Sequence, residues 1–422
     1  NVILNKMSQK LSIKDTIRLF VNAPKAEKGF MILLLVTIFP LTYKIISPIL
    51  IITGFGSYTE YISTALYIIG IWLALPIICR RTSMADFFVY ILFALFLVFS
   101  KYLYPQSAGF VNENMHDILL YFVPFYFLGV MSDYRSDGFL FRLVMRIAFF
   151  IAVFWQICLM AGLVQFESED GTIGEQMDFA YSLLIVVCYM LVEYNKSHDK
   201  IELCAFILGT LMLLFMGARG PVVICVMFIT SYLLIFHGFT SGNIIKKIGI
   251  ILLFGVFYVL SKPFMFALAV FAERMGMSTK IFDSFIGGGM ISLEESSGRD
   301  SIYEGMLEAI KNDTTGFGYG IGGDRLFSAS NGYAHNFEIE ILVQFGCIGG
   351  GILLLLLAIL FLNTYYKSKK NAAAEFWLVV FFWGFVSLQF SKSWIIHEGF
   401  FFLIGYCSSV LKTRKNVYRI KS

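Results

Sequence analysis

Charge is scarce in this chain. Asp, Glu, Lys and Arg make up 15% of its 422 residues, where a soluble domain carries about 25%. Proline is rare as well, with eight in the whole sequence. No two cysteines are spaced as CxxC: Cys79, Cys158, Cys188, Cys204, Cys225, Cys347 and Cys407 all fall in or beside apolar runs. A disulfide framework and a zinc site are therefore not expected. No DxD-type acidic pair is evident for holding a metal on the outer side; Glu294-Glu295 is a weak candidate and reads as a solvated pair. No cleavable signal peptide is expected, because the first stretch is polar and basic and the first apolar run is too long for a signal core.

What is abundant is hydrocarbon. The chain is 58% hydrophobic, with 45 Phe and 22 Tyr, and its mean hydropathy is +0.75. Lipid-facing surfaces and interfacial belts favour such aromatics. A membrane span needs about 20 mostly apolar residues. About twelve stretches satisfy this, beginning near Phe30, Tyr61, Ala85, Asp117, Leu140, Asp178, Ile201, Pro221, Ile248, Phe337, Phe376 and Ile396. Pro40 and Pro48 interrupt the first, and the fourth is short and holds Pro124. Only GARGP separates the seventh from the eighth, which predicts a tight reversal. The expected fold is an all-α polytopic membrane protein. Its expected parts are a tail over 1–28, helices one to nine over 29–271, a large loop over 272–336, helices ten to twelve over 337–411, and a basic tail over 412–422.

Cations set the orientation, since short cytoplasmic loops concentrate Lys and Arg. With the N-terminus inside, the inner side collects the basic N-terminal tail, Arg80-Arg81, Arg135, Arg142, Arg146, Lys196, Lys200, Lys246-Lys247, Lys367, Lys369, Lys370 and the C-terminal tail. Both termini are then cytoplasmic. The outer side receives few cations, among them Arg219, Arg299 and Arg325.

The long outer loop has internal order. SSGRDSIYEGMLEAIKND reads as an amphipathic helix capped by Ser296 or Ser297, with Ile302, Met306, Ala309 and Ile310 on one face. It is expected to lie on the membrane surface or over a cavity. TGFGYGIGGDR follows as a flexible glycine hinge.

Each polar residue here has a plain and a functional reading. Arg219, in MGARGP, either snorkels to lipid phosphates or forms an anion site at a helix N-terminus. Arg299 opens the loop helix, where the helix dipole disfavours a cation. Arg325 follows the glycine run and reads as a loop charge or an anion ligand. In YAHN, Asn336 is a credible N-cap, with Glu338 and Glu340 in a first turn that favours anions. His335 is not needed for capping. A carboxylate beside it, Glu338 one turn on, would make it a general base.

Other classes fit less well. GFGYGIGG lacks the preceding strand and the GK[ST] of a phosphate loop, so nucleotide binding is not expected. A transporter would show paired half-helices and mid-membrane ionisable residues, and neither pattern is evident.

Taken in order, these segments resemble the O-antigen polymerase and O-antigen ligase superfamily of bacterial inner membranes, of the Wzy/WaaL kind. The resemblance rests on MGARGP at a short outer turn, SSGRDSIYEGML opening a loop helix, and GFGYGIG followed by YAHNFEIEILVQFGCIGG. It covers the layout of the whole chain, but its specific part is confined to about residues 205–230 and 295–350. The resemblance implies a GT-C-like fold of about twelve helices, with short amphipathic helices in one large periplasmic loop. It implies a metal-independent glycosyltransferase without cofactor. The donor would be an undecaprenyl-diphosphate-linked oligosaccharide, used at the periplasmic face of the inner membrane. Arg219, Arg299 and Arg325 would hold the diphosphate. His335 and Glu338 would be catalytic, and Tyr319, Tyr333 and Asn336 would line the sugar or acceptor site. Membrane lipids, a chain-length regulator and a flippase are the implied partners, and nucleic acid is not. The outer surface carries no broad basic patch for a phosphorylated lipid A-core, which favours polymerase over ligase. A flippase or transporter for the same lipid-linked glycan is the reading from a different class.

Overall fold

A computed structural model describes residues 25–38, 58–119, 123–132, 134–160, 172–216, 219–236, 270, 299–328, 332–370, 373–390 and 392–412. The expectations for Pro40, Pro48, the span near Ile248, Glu294-Glu295, the Ser296 or Ser297 cap and, of the two tails, residues 1–24 and 413–422 fall outside these residues. So does the side chain of Arg299.

Among the described residues the protein is helical, without strands. In chain order the helices are α1 (Lys25–Ile38), α2 (Thr59–Arg81), α3 (Met84–Leu103), α4 (Ala108–Asp117), α5 (Pro124–Met131), α6 (Tyr134–Met160) and α7 (Thr172–Ser197). There follow α8 (Lys200–Phe215), α9 (Arg219–Phe236), α10 (Arg299–Asn312), α11 (Phe337–Phe345), α12 (Gly351–Lys370), α13 (Ala374–Gly384) and α14 (Glu398–Lys412). Among the described residues five stretches are long and apolar enough to cross a membrane: Met84–Leu103, Gly138–Cys158, Phe179–Ser197, Arg219–Phe236 and Phe337–Lys370. The protein is membrane-embedded. Large apolar side chains stand exposed along α3 (Phe88, Ile91, Phe99) and α12 (Ile352, Leu355, Leu362), a surface that lipid rather than water accommodates.

The chain forms two compact units. The first comprises Asn1–Leu75 and Ser136–Ser292. Its centre is α7, buried almost continuously from Phe179 to Val192. Gly209 lets α8 cross α7 closely: a Cβ there would come 2.7 Å from Val187 Cγ2. The reversal between α8 and α9 is as short as GARGP predicts.

One cluster in this unit corrects the charge reading. Arg142 and Arg146 are not loop cations. They lie inside α6, 2% exposed, and converge on Glu202 of α8, which is fully buried. Arg142 Nε donates to Glu202 Oε1 at 2.7 Å, and Arg146 Nη2 donates to Asp199 Oδ2 at 2.8 Å. Apolar periodicity places a helix but cannot place its partner, so the pairing was invisible in sequence.

The second unit comprises Pro76–Arg135 and Leu293–Ser422. Its tightest contact is α5 against α14. Gly129 and Gly405 face each other there: a Cβ on Gly405 would lie 2.9 Å from Val130 N, and one on Gly129 3.0 Å from the Gly405 carbonyl carbon. Small residues allow such close helix approach inside a bilayer.

Helix α3 gives this unit two distinguishable ends. At its start, Ser83 and Asp86 form a capping box, Tyr126 Oη donates to Asp86 Oδ1 at 3.0 Å, and Lys412 reaches Asp86. Lys367 Nζ, from the last turn of α12, donates to Leu411 O at 2.7 Å. At the far end of α3, Ser100 Oγ accepts from Ile321 N at 3.3 Å, and Tyr104 Oη donates to Phe317 O at 3.1 Å. Twenty residues of helix span about 30 Å. The lysine-rich end and the glycine segment thus sit a membrane's thickness apart.

Candidate functional site

The glycine segment is not a flexible hinge. Gly316, Gly318, Gly320 and Gly322 all adopt positive φ, between 72° and 80°, a region open to glycine without strain. Asp313 then gathers the turn. It accepts from Thr315 N at 3.0 Å, Thr315 Oγ1 at 2.6 Å, Gly316 N at 3.2 Å and Gly318 N at 2.8 Å. Burial alone would raise the Asp313 carboxyl, but the bonds from Thr315, Gly318 and Gly316 hold it below its ordinary value of 3.8. Tyr319 N donates to Val343 O at 3.0 Å and Gly320 N to Gln344 O at 2.9 Å, which stitches the segment to the end of α11. These amides are occupied within the protein, so the glycine run does not cradle a phosphate.

Helix α10 turns its apolar face onto neighbouring segments of the same unit. Ile302 and Met306 pack with Ala334 and Val343, and Ile310, Tyr319, Phe327 and Ile339 complete the cluster. The helix does begin at Arg299.

Residues 323–345 bring most of the expected side chains together. Arg325 lays its guanidinium over the Phe110 ring, 3.8 Å from the centroid, and lies 5.9 Å from that of Tyr333. Tyr333 in turn packs its ring against His335, tilted by 43°, with centroids 4.2 Å apart. His335 is held at φ 51°, a left-handed conformation uncommon for a residue with a side chain. Asn336 is the N-cap of α11, as expected: its side chain accepts from Ile339 N at 3.0 Å. Glu338 Oε1 accepts from Gln389 Nε2 at 3.0 Å. Tyr319 stands further off, donating to Ala309 O at 3.2 Å and packing on Phe327. Arg219, half-buried at the start of α9, belongs to the first unit.

Sequence reasoning missed the layer beneath. Glu340 stands in the first turn of α11, as expected, but is fully buried. Its Oε1 accepts from Ser393 Oγ and from Gln344 Nε2, the latter at 3.3 Å, and its Oε2 accepts from Trp394 N at 3.4 Å. Gln344 Nε2 also donates to Asp324 Oδ1 at 2.7 Å, while Trp394 Nε1 donates to Gln344 Oε1 at 3.0 Å. Asp324 is fully buried. Burial pushes its carboxyl above the ordinary range, opposed by the Arg325 charge and the Gln344 bond. The available signal was Glu340 and Gln344 at i, i+4 on an apolar helix, two polar residues on one face.

Below α11 lies a cavity of about 500 Å³. Its wall is apolar and aromatic, with Phe93 and Phe96 from α3, Phe337, Ile341 and Phe345 from α11, and Trp394. Tyr333 and His335 lie just before the Asn336 cap of a helix that also walls an apolar chamber, and Arg325 comes within 5.9 Å of the Tyr333 ring.

A second polar pair resembles catalytic machinery and is not. Ser387 Oγ and His397 Nε2 are 2.7 Å apart and buried. Yet His397 Nδ1 accepts from Gly399 N at 2.8 Å, and Ser387 Oγ donates to Trp383 O at 2.5 Å. The imidazole proton is thereby assigned to Nε2, so His397 donates to Ser387 and does not activate it.

Comparison with known proteins gives no match to any family model, curated protein or solved structure.

Proposed function

We propose that the protein is a polysaccharide polymerase which transfers an undecaprenyl-diphosphate-linked glycan onto another lipid-linked repeat unit at the periplasmic face. The observation that carries the reading is the Arg325–Tyr333–His335 group near a helix that walls an apolar chamber. Such a substrate has three chemically distinct parts. A prenyl chain requires an apolar groove, a diphosphate requires fixed positive charge, and a sugar requires aromatic faces and hydrogen-bonding groups. Arginine neutralises a diphosphate through its planar fork, which makes the departing group a good one without a metal.

In the reaction proposed, the acceptor hydroxyl oxygen attacks the anomeric carbon of the donor sugar. The bond from that carbon to the diphosphate oxygen breaks, and the electron pair leaves with the lipid diphosphate. The hydroxyl proton passes to His335 as general base. Tyr333 fixes the imidazole plane, and Arg325 faces the developing charge. Arg299, which opens α10 in the same unit, is proposed as a further diphosphate ligand. The distance between the glycine segment and the lysine-rich end of α3 supports a site on the face opposite the cytoplasm, since lysine-rich ends favour the inner side.

The test is chain extension. Purified protein given a lipid-linked repeat unit should yield a ladder of longer glycans. A single product on lipid A-core would replace polymerase with ligase. Movement of substrate across vesicles with no new glycosidic bond would overturn both.

A further inference from the structure

The buried bracket of Asp324, Gln344 and Glu340 has no part in that chemistry, and it is an expensive way to build a core. Three fully buried polar side chains give up hydration that only well-made pairs restore. Holding the glycine segment in place does not require them. The backbone bonds Tyr319 N to Val343 O and Gly320 N to Gln344 O already fasten it to α11. What the side chains add is a negative group at one fixed spot. Asp324 Oδ1 lies 3.5 Å from Arg325 Nη1. Among the described residues it is the one carboxylate paired with that guanidinium.

The Arg325 side chain is 15% exposed and constrained from two directions. Phe110 sets the plane of the guanidinium from one face. Asp324 Oδ1 stands 3.5 Å from Nη1 at one edge and biases the rotation within that plane by its charge, which leaves other N–H groups of the fork for a ligand. Asp324 is itself fixed by Gln344, and Gln344 is fixed by Glu340 and the Trp394 indole. Ser393 and Trp394 anchor Glu340 from a third chain segment. Each link is a hydrogen bond between buried groups, where geometry is held more tightly than at a solvated surface.

We propose that Asp324, Gln344 and Glu340 are positioning residues for the anion site: they orient the Arg325 guanidinium towards the phosphate groups of the substrate beside His335. This inference rests on the transfer reading above. It makes Asp324 act through Arg325, so the two residues must be coupled. Asp324→Asn keeps the shape and can still accept from Gln344, but it removes the charge that aligns Arg325.

The experiment is a double-mutant cycle on full-length purified protein, with Asp324→Asn, Arg325→Ala and the double variant. Inorganic pyrophosphate binding is measured by calorimetry, KM and kcat by chain extension, and Tm by thermal unfolding. Expected is a loss of pyrophosphate affinity of about tenfold in Asp324→Asn, the scale of one charge-assisted hydrogen bond. KM for the lipid-linked donor should rise by a similar factor, while kcat and Tm hold. Arg325→Ala should lose at least as much, and the double variant no more than Arg325→Ala. Additive losses, or a fall in Tm with KM unchanged, would overturn the positioning role. If Asp324→Asn does not fold, Glu340→Gln replaces it, with a raised KM at unchanged Tm expected and an unchanged KM overturning the proposal. Wild-type protein that binds pyrophosphate but extends no glycan would defeat the transfer reading alone. Wild-type protein that does neither would defeat both.

Discussion

Tyr333 and His335 are in ring-to-ring contact, with centroids 4.2 Å apart and planes inclined by 43°, while the His335 backbone stays at φ 51°. A left-handed residue with a Cβ costs about 1–2 kcal/mol relative to glycine. Such strain persists where the surrounding structure imposes it, often at functional sites. His335→Gly should therefore leave Tm equal to or above that of the parent, yet abolish glycan transfer. Thermal unfolding in detergent and the extension assay, run on the same preparation, check both halves.

The Asp313 turn predicts an acid-side loss of stability. Its carboxyl sits below 3.8 when folded, so its contribution is complete above that value and fades as the pH falls through the lower, folded one. Asp313→Ala should cost about 1 kcal/mol near neutral pH. The difference from the parent should shrink below pH of about 4. Unfolding followed against pH for the two proteins measures this.

Glu202 holds Arg142 and Arg146 together in the first unit. Glu202→Ala would leave two buried guanidiniums short of countercharge, at a cost of about 3–5 kcal/mol. Loss of a monodisperse peak on size exclusion, or a large fall in Tm, is the expected outcome. A near-neutral effect would mean that Asp199 and Glu193 suffice.

Ser387→Ala should retain full transfer activity. Its hydroxyl donates to a backbone carbonyl and accepts from His397, a structural role whose removal costs about 1 kcal/mol. Loss of activity without loss of stability would make Ser387 a nucleophile after all.

Residue type and spacing revealed some of this architecture. Apolar runs located α3, α9 and α12, and the Asn336 cap could be read from YAHNFE because capping is local chemistry. His335 stood out because capping did not use it. The burial of Glu340 and its link to Asp324 were not legible, since they depend on which segments meet across the unit. The order in the glycine segment escaped notice for the same reason: its restraint comes from Asp313, Ser100 and the carbonyls of Val343 and Gln344. Glycines by themselves read as freedom. A basic residue near a span end reads identically whether it meets water or, as Arg142 and Arg146 do, a buried glutamate.

The most direct test of the central claim compares wild type with His335→Ala, matched for Tm and monodispersity, on a purified undecaprenyl-diphosphate-linked repeat unit. Products are resolved by length. The account predicts a ladder from the wild type and unextended substrate from the variant. A ladder from His335→Ala at the wild-type rate would contradict it.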